Sequence, residues 1–365
     1  VHAGFQPACF DLFADLDLCR VAQASKLACA EYPHGLLNAV AGFSGLPRAY
    51  AGGLENHPEL IDALSEHGSL WGNSSRALRQ VRDPIRLSAT LAAEGLATPR
   101  VADRPDHVPT DGSWLAKPLA SAGGRGIHPY HGGPTHGRCY WQERILGEPH
   151  SAVYLGLDGN CRLLGATRQL LGEPACHASR FAYCGSIGPI EPTPAVADQM
   201  LRIGNVLARR CYLRGLFGVD LVLDGQTVWT IEVNPRYPAS LEILERSVGL
   251  CAFAMHASAF RSQSAPATET RMSEPDAPAR QVVMGKSILF APQRSRIHPD
   301  APCYRPAGES PADAFADIPH PGARFEPGDP ILTLFATDTA AETCYHRLMT
   351  LTRRFEKSAL WPLRE

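Results

Sequence analysis

Residues Gly218–Glu242, GVDLVLDGQTVWTIEVNPRYPASLE, hold the side chains with the plainest chemical use in the chain. They read as a β-hairpin ending in a polar cluster. Asp220 lies on the first strand, Asp224-Gly225 mark the turn, and Glu232-Val233-Asn234 close the second strand before Pro235 and Arg236. Two carboxylates and an amide oxygen at a sheet end are what a hard divalent cation takes. An arginine beside them suits a phosphate or a carboxylate. Sharing one ion needs Asp220, Glu232 and Asn234 on one face, which strand alternation decides. A two-residue turn at Asp224-Gly225 would set Asp220 opposite Trp229 and point Glu232 away. A three-residue loop, Asp224–Gln226, pairs Asp220 with Thr230 and puts Glu232 and Asn234 on its face. The expectation is an odd loop; the competing reading is an ordinary polar sheet face.

A second cluster precedes the hairpin. The strand Trp114–Pro118 carries Lys117, and SAGGRGI (Ser121–Ile127) follows as a glycine-rich turn. Gly123, Gly124 and Gly126 can turn backbone N–H groups toward an anion, and Lys117 can add a point charge for a phosphate. There is no GxxxxGK[ST], and GGRG opens no helix, so neither a P-loop nor a dinucleotide fingerprint is present. Taken alone, the turn reads more readily as a hairpin beside a solvated lysine, since single motifs have high false-positive rates. Gln142-Glu143-Arg144-Ile145 then runs as a strand toward Gly147. Its end could offer backbone groups to an adenine edge, with Glu143 accepting from the exocyclic amine, or could be a charged strand edge.

The rest of the chain must position these groups. Its 365 residues and 44% hydrophobic content suffice for two or three lobes. A net charge of -2 gives no case for nucleic acid or anionic membrane, and no apolar run approaches the ~20 residues of a bilayer span. Nothing at the start reads as a signal peptide. Eleven scattered cysteines without a CxxC pair read as reduced thiols. A cytoplasmic protein is the expectation.

Residues 1–95 read as a small α/β lobe, and its first strand is expected to be lacking ahead of Val1. In it, Asn56 is expected to cap a helix carrying Leu60, Ile61 and Leu64, and Asp83-Pro84 to open another. Residues 96–260 hold both clusters, a helix with Val196, Met200, Ile203 and Leu207 on one stripe, and a final helix from about Ser240 to Phe260. Residues 261–280 are too poor in large apolar groups to order themselves and read as a flexible linker. Residues 281–365 form an α+β segment, with strands at Gly285–Ala291 and Ile331–Ala336 and a helix bearing Ala341, Cys344 and Leu348.

Lysine strand, glycine loop, Gln-Glu strand and Asp…Glu-x-Asn, in that order over Thr98–Glu242, resemble the ATP-grasp superfamily. The stretches GKSILFAP, ADIPHPG and DPILTLFATDTAAE resemble the terminal segment of its biotin carboxylase-like members. The resemblance implies an α/β and α+β ATP-grasp fold, with a small N-terminal α/β (pre-ATP-grasp) lobe and a C-terminal α+β segment. It implies ATP with Mg (or Mn) as cofactors. Lys117 would bind phosphate, Ser121, Gly123, Gly124 and Gly126 would cover the triphosphate, and Glu143 with the backbone of Arg144, Ile145 and Leu146 would hold adenine. Asp220, Glu232 and Asn234 would ligate the metal, and Arg236, with Lys117, would act on the transferred phosphate. The implied activity is an ATP-dependent ligase joining a small-molecule carboxylate, activated as acyl phosphate, to an amine. It extends to amino-acid addition in methanofuran- or pterin-type cofactor biosynthesis and leaves a homodimer open. An ATP-binding regulatory protein and an ATP-dependent carboxylase are the alternatives.

Three positions depart from the family pattern. Pro84 stands where a lysine usually enters the site, with Arg82 and Arg86 as the nearest replacements. Pro149, beside Glu148, stands where a ribose-binding acid is often found. Tyr237–Glu242 lacks the Gln-Val-Glu-His run of biotin carboxylases, which argues against biotin. Arg168, Gln169, Tyr237 and Glu242 are candidates for the acceptor side, and no partner that would activate Cys184 is visible.

Overall fold

The computed structural model describes residues 3–66, 68–135, 137–261, 282–305 and 314–363. The N-terminal lobe begins with a parallel pair, β1 (Ala8–Asp11) and β2 (Gln23–Lys26), joined through α1 (Leu16–Val21). Helices α2 (Gly35–Val40), α3 (Pro58–Glu66) and α4 (Ser75–Val81) follow. Leu60, Ile61 and Leu64 of α3 are buried with Leu27, Leu36, Leu54 and Leu78, as their spacing predicts. Asn56, however, caps nothing. It lies in a single 3-10 turn, Leu54–Asn56, and α3 starts beyond it at Pro58. The next helix, α5 (Pro84–Ala93), starts as expected: the Asp83 carboxylate accepts from the Ile85 and Arg86 N–H groups at 3.0 and 3.1 Å.

A four-stranded antiparallel sheet comes next, from β3 (Val101–Ala102), β4 (Trp114–Pro118), β5 (His128–Pro129) and β6 (Cys139–Glu143), in the order β3-β6-β4-β5. The large sheet then opens with β7 (Glu148–Leu157), β8 (Asn160–Leu171) and β9 (Tyr183–Ile190). After α6 (Pro194–Arg210) it gains β10 (Gly215–Asp224) and β11 (Thr227–Asn234). One face packs on α6, whose Val196, Met200, Ile203 and Leu207 meet Ala152, Tyr154, Ala166 and Phe217. On the other, Val153, Leu155 and Leu216 pack under α7 (Leu241–Val248) and α8 (Ala252–Phe260). The single helix expected over Ser240–Phe260 is thus two. Gly249 takes the left-handed conformation (φ 69°) at the end of α7 and stops it.

The predicted linker falls mainly on residues 262–281, outside the described residues. Beyond them, β12 (Val283–Phe290) pairs with β9, so the C-terminal segment continues the large sheet. After β13 (Ser295–Ile297) come β14 (Phe315–Ala316), β15 (Arg324–Phe325), β16 (Pro330–Asp338), α9 (Ala341–Ala359) and β17 (Leu360–Pro362). The large sheet reads β11-β10-β7-β8-β9-β12-β16-β14, and β15-β13-β17 form a small one. Among the described residues no helix is long and apolar enough to cross a membrane.

The two ends of the chain touch. Asp17 accepts from the Asp317 and Ile318 N–H groups at 3.0 and 2.8 Å, and the Leu16 N–H donates to Ile318 O at 2.8 Å. Burial, then the charges of Asp317, Asp17 and Asp11, push the Asp15 carboxyl here up to about 7. Because this pKa lies above its unfolded value, the stabilising contribution is complete below about pH 4 and disappears as pH rises through about 7. Asp15→Asn should therefore raise Tm by roughly 2–4 °C at pH 8 and by much less at pH 5, as a pair of thermal melts would show.

Candidate active site

The hairpin β10–β11 solves the facing problem differently from the expectation. Asp224 pairs with Thr227, so the turn has two residues, Gly225-Gln226, and the predicted three-residue loop is wrong. Pairing continues to Leu221 with Thr230; then the register shifts, and Asp220 faces Glu232 directly. The extra residue, Ile231, is a β-bulge that advances the alternation by one. Asp220 and Glu232 thereby share a face as cross-strand partners, and Asn234 lies two residues further along it. The Ile231 carbonyl accepts from Gln142 Nε2 at 3.2 Å, which ties the bulge to β6 of the four-stranded sheet.

Asp220 accepts from Gln169 Nε2 at 2.8 Å and from Asn234 Nδ2 at 3.0 Å. The Asn234 oxygen accepts from Arg236 Nη2 at 3.1 Å. Arg236 also donates to Tyr237 O at 3.1 Å and, through Nε, to Glu55 Oε1 at 3.2 Å. Glu232 is held by Arg82, whose other amino group donates to Asn56 Oδ1 at 2.8 Å. Of the two candidate replacements for an entry lysine, Arg82 enters the site. Arg86 stays 3.1 Å from Asp83 in the exposed first turn of α5.

Lys117 is buried, and its Nζ donates to Gln142 Oε1 at 3.0 Å. Burial opposes its charge, but the Tyr140 oxygen, Glu232 and Asp220 outweigh that and raise its pKa. Burial, then the charge of Glu232, pushes the Asp220 carboxyl up to about 6, with Asn234, Arg236 and Gln169 holding it back. For Glu232 burial acts in the same direction but Arg82 and Lys117 win, so its carboxyl titrates below the usual range.

Two mutually repelling carboxylates on one sheet face form a set whose charge a hard cation would balance. The fit is to two carboxylates first. Asn234 turns its amino group to Asp220 and its oxygen to Arg236, so it would join the set only on rotating its amide. No cluster of three or more His, Cys, Asp or Glu suited to a metal occurs among the described residues.

The glycine loop lies between Arg82 and the start of β9. Ser121 O accepts from Arg82 Nη2 at 3.4 Å, and Gly123 O accepts from the Tyr183 N–H at 3.1 Å. Gly124 has φ +77°, and a Cβ there would sit 2.0 Å from Phe181 O. Gly124→Ala should displace the loop and weaken ADP binding about tenfold or more, measured by calorimetry.

Glu143 needs correction. Its carboxylate is clamped by Arg100, with Nε and Nη2 at 3.0 and 2.9 Å, so a purine amine would have to share it with that guanidinium. The Arg144 N–H donates to Ser113 O, while Ile145 and Leu146 line the cleft. That cleft, about 460 Å³, lies between the two sheets, with Leu115, Ile127, Ile145 and Val222 at one part and Asp220, Glu232, Asn234, Arg236 and Glu55 at another. Its size suits a small-molecule ligand.

The acceptor candidates scatter. Gln169 reaches Asp220, but Arg168 pairs with Glu342 at 2.5 Å, and the Tyr237 hydroxyl donates to Glu245. Glu242 binds Lys286 and Arg246 at 3.2 and 3.0 Å. Cys184 is buried with its thiol on Leu170 O. Glu55, Asn56 and Gln142 escaped the sequence reading as site residues. In the sequence, the paired glycines Gly52-Gly53 are the one local sign of an unusual backbone near Glu55.

Two antiparallel sheets closing on a polar cleft, with a lysine and glycine loop on one side and paired carboxylates on the other, define a nucleotide-grasping fold. Residues 81–240 match the sequence profile of the ATP-grasp domain, so the chain carries an ATP-grasp domain over that stretch. Among solved structures it is similar to the biotin carboxylase domain of Hydrogenobacter thermophilus 2-oxoglutarate carboxylase, at 14% identity and TM-score 0.71, covering 100% of this chain and 87% of that one. It is also similar to N5-carboxyaminoimidazole ribonucleotide synthetase, at 11% identity and TM-score 0.66 over 97% and 92% of the two chains. A third, L-amino acid ligase from Bacillus licheniformis, gives 14% identity and TM-score 0.65 over 93% and 88%. A search of curated proteins returns no match.

Proposed function

We propose that this protein is an ATP-dependent ligase that activates a small-molecule carboxylate as an acyl phosphate and passes the acyl group to an amine. The observation that carries the reading is the polar part of the cleft. There the Asp220 and Glu232 carboxylates stand among three fixed cations, Lys117, Arg82 and Arg236. Such a constellation suits phosphoryl transfer, where catalysis is mostly positioning and neutralisation of charge.

Asp220 and Glu232, joined by Asn234 once its amide turns, would hold magnesium, which when bound neutralises phosphate oxygens. The glycine loop would cover the phosphates, Lys117 would pair with one of them, and the backbone at Ile145–Leu146 would face adenine. A carboxylate oxygen attacks the γ-phosphorus and ADP leaves; the amine then attacks the acyl carbon, phosphate leaves and a proton is lost. Arg236 would steady the group in transit. The similar structures add support: one is described with MgADP and bicarbonate, one with ADP, and one is an amino acid ligase. One-carbon cofactor substrates draw no support from the cleft residues.

The test is ADP release from Mg-ATP across a panel of carboxylates, with hydroxylamine as a general nucleophile to trap acyl phosphate as hydroxamate. ADP and hydroxamate should form together and only with magnesium and a carboxylate. ADP release indifferent to every carboxylate would overturn the ligase reading, and stimulation by bicarbonate alone would replace it with a carboxylase.

A further inference from the structure

We infer that Glu55 and Arg236 form a receptor for a zwitterion, so that the carboxylate activated here belongs to an amino acid whose ammonium group Glu55 holds. This rests on the ligase reading and narrows its substrate class.

Glu55 comes from the N-terminal lobe, in the 3-10 turn Leu54–Asn56, and lines the cleft at 2% exposure. Its Oε1 accepts from Arg236 Nε at 3.2 Å and lies 3.1 Å from Nη2. Its Oε2 is buried and has no hydrogen-bond partner. A buried carboxylate oxygen without a donor is unfavourable, and a ligand that supplies one relieves it. Orienting Arg236 does not explain this second oxygen. Oε1 serves that purpose, and Asn234 Oδ1 and Tyr237 O already fix the guanidinium from other sides.

Two glycines precede Glu55 by two and three residues. Gly53 has φ +100°, and a Cβ there would sit 2.6 Å from the Tyr32 oxygen; a Cβ on Gly52 would meet Arg236 at 3.4 Å. An adjacent guanidinium and carboxylate match the two ends of an amino acid: Arg236 faces its carboxylate, and Glu55 faces its ammonium.

The hydroxamate assay tests this without knowledge of the natural acceptor. The probes are the twenty L-amino acids and, for each that reacts, its deaminated acid. Wild type should favour the amino acid about 100-fold or more in kcat/KM, since a site built around a charged partner rejects the analogue lacking it. Glu55→Gln keeps an oxygen for Arg236 and should bring the ratio to about threefold or less, with the melting temperature as fold control. If that variant melts early, the wild-type ratio alone decides. Equal use of both acids by wild type, or an undiminished ratio in the variant, overturns the inference. Hydroxamate from other carboxylates but from no amino acid overturns it and leaves the ligase reading standing. Hydroxamate from no carboxylate overturns both.

Discussion

Glu232→Gln is expected to lower Mg-ATP-dependent ADP formation by about 10³-fold or more. The substitution keeps size and shape, and its effect is electrostatic. It removes one of two facing carboxylates and leaves the Arg82 guanidinium without its counter-charge. It also frees Asp220 from the repulsion that helps to raise its pKa to about 6, so that carboxyl should titrate lower in the variant. Steady-state ADP release measures the first effect and NMR titration of Asp220 the second. Activity retained within about tenfold would remove Glu232 from the site. Glu143→Gln is the control from the same cleft: it loosens a clamp to the exposed Arg100 and should change turnover by about threefold or less.

Arg82→Met should act with opposite signs on metal and nucleotide. In the structure the Arg82 guanidinium sits on Glu232, where a cation would be held, and also bonds Asn56 and the glycine loop at Ser121. Removing it vacates one carboxylate, so Mn²⁺ binding to the nucleotide-free protein, followed by electron paramagnetic resonance, should tighten about tenfold. Removing a cation from the phosphate end should weaken ADP by a similar factor, about tenfold. Some loss of Tm accompanies both, because breaking a buried ion pair strands its partner. A purely structural arginine would weaken both ligands together. The split would therefore identify a residue that competes with metal in the nucleotide-free protein and pairs with phosphate when nucleotide is bound.

Much of this was legible from local pattern. The Asp83-Pro84 helix start, the buried stripe of α6 and the order lysine, glycine loop, hairpin all follow from neighbouring residues. What escaped depends on partners far along the chain. The bulge at Ile231 follows from no turn rule; its carbonyl is tied to Gln142, 89 positions away. Glu143 suits a purine amine in its own strand, but the fold sets Arg100 against it, 43 positions away. Arg82 and Arg86 differ by one turn of sequence, and only the approach of Glu232 and Asn56 separates their roles. Glu55 was hidden for the same reason, because its guanidinium partner lies 181 positions later.

The pairing of β12 with β9 has a consequence for synthesis. β9 ends at Ile190 and its outer partner begins only at Val283, so its free edge waits for a strand made much later. At roughly 5–20 residues per second the wait on a ribosome is about 5–20 s. During it the nascent chain presents an unpaired strand edge, which invites pairing with other chains. Tyr183, which fastens the glycine loop, starts that strand. The strand that starts at Tyr183 therefore gains its outer neighbour only after Val283 has been made, and an expressed piece cut to residues 81–240 would keep that edge open permanently.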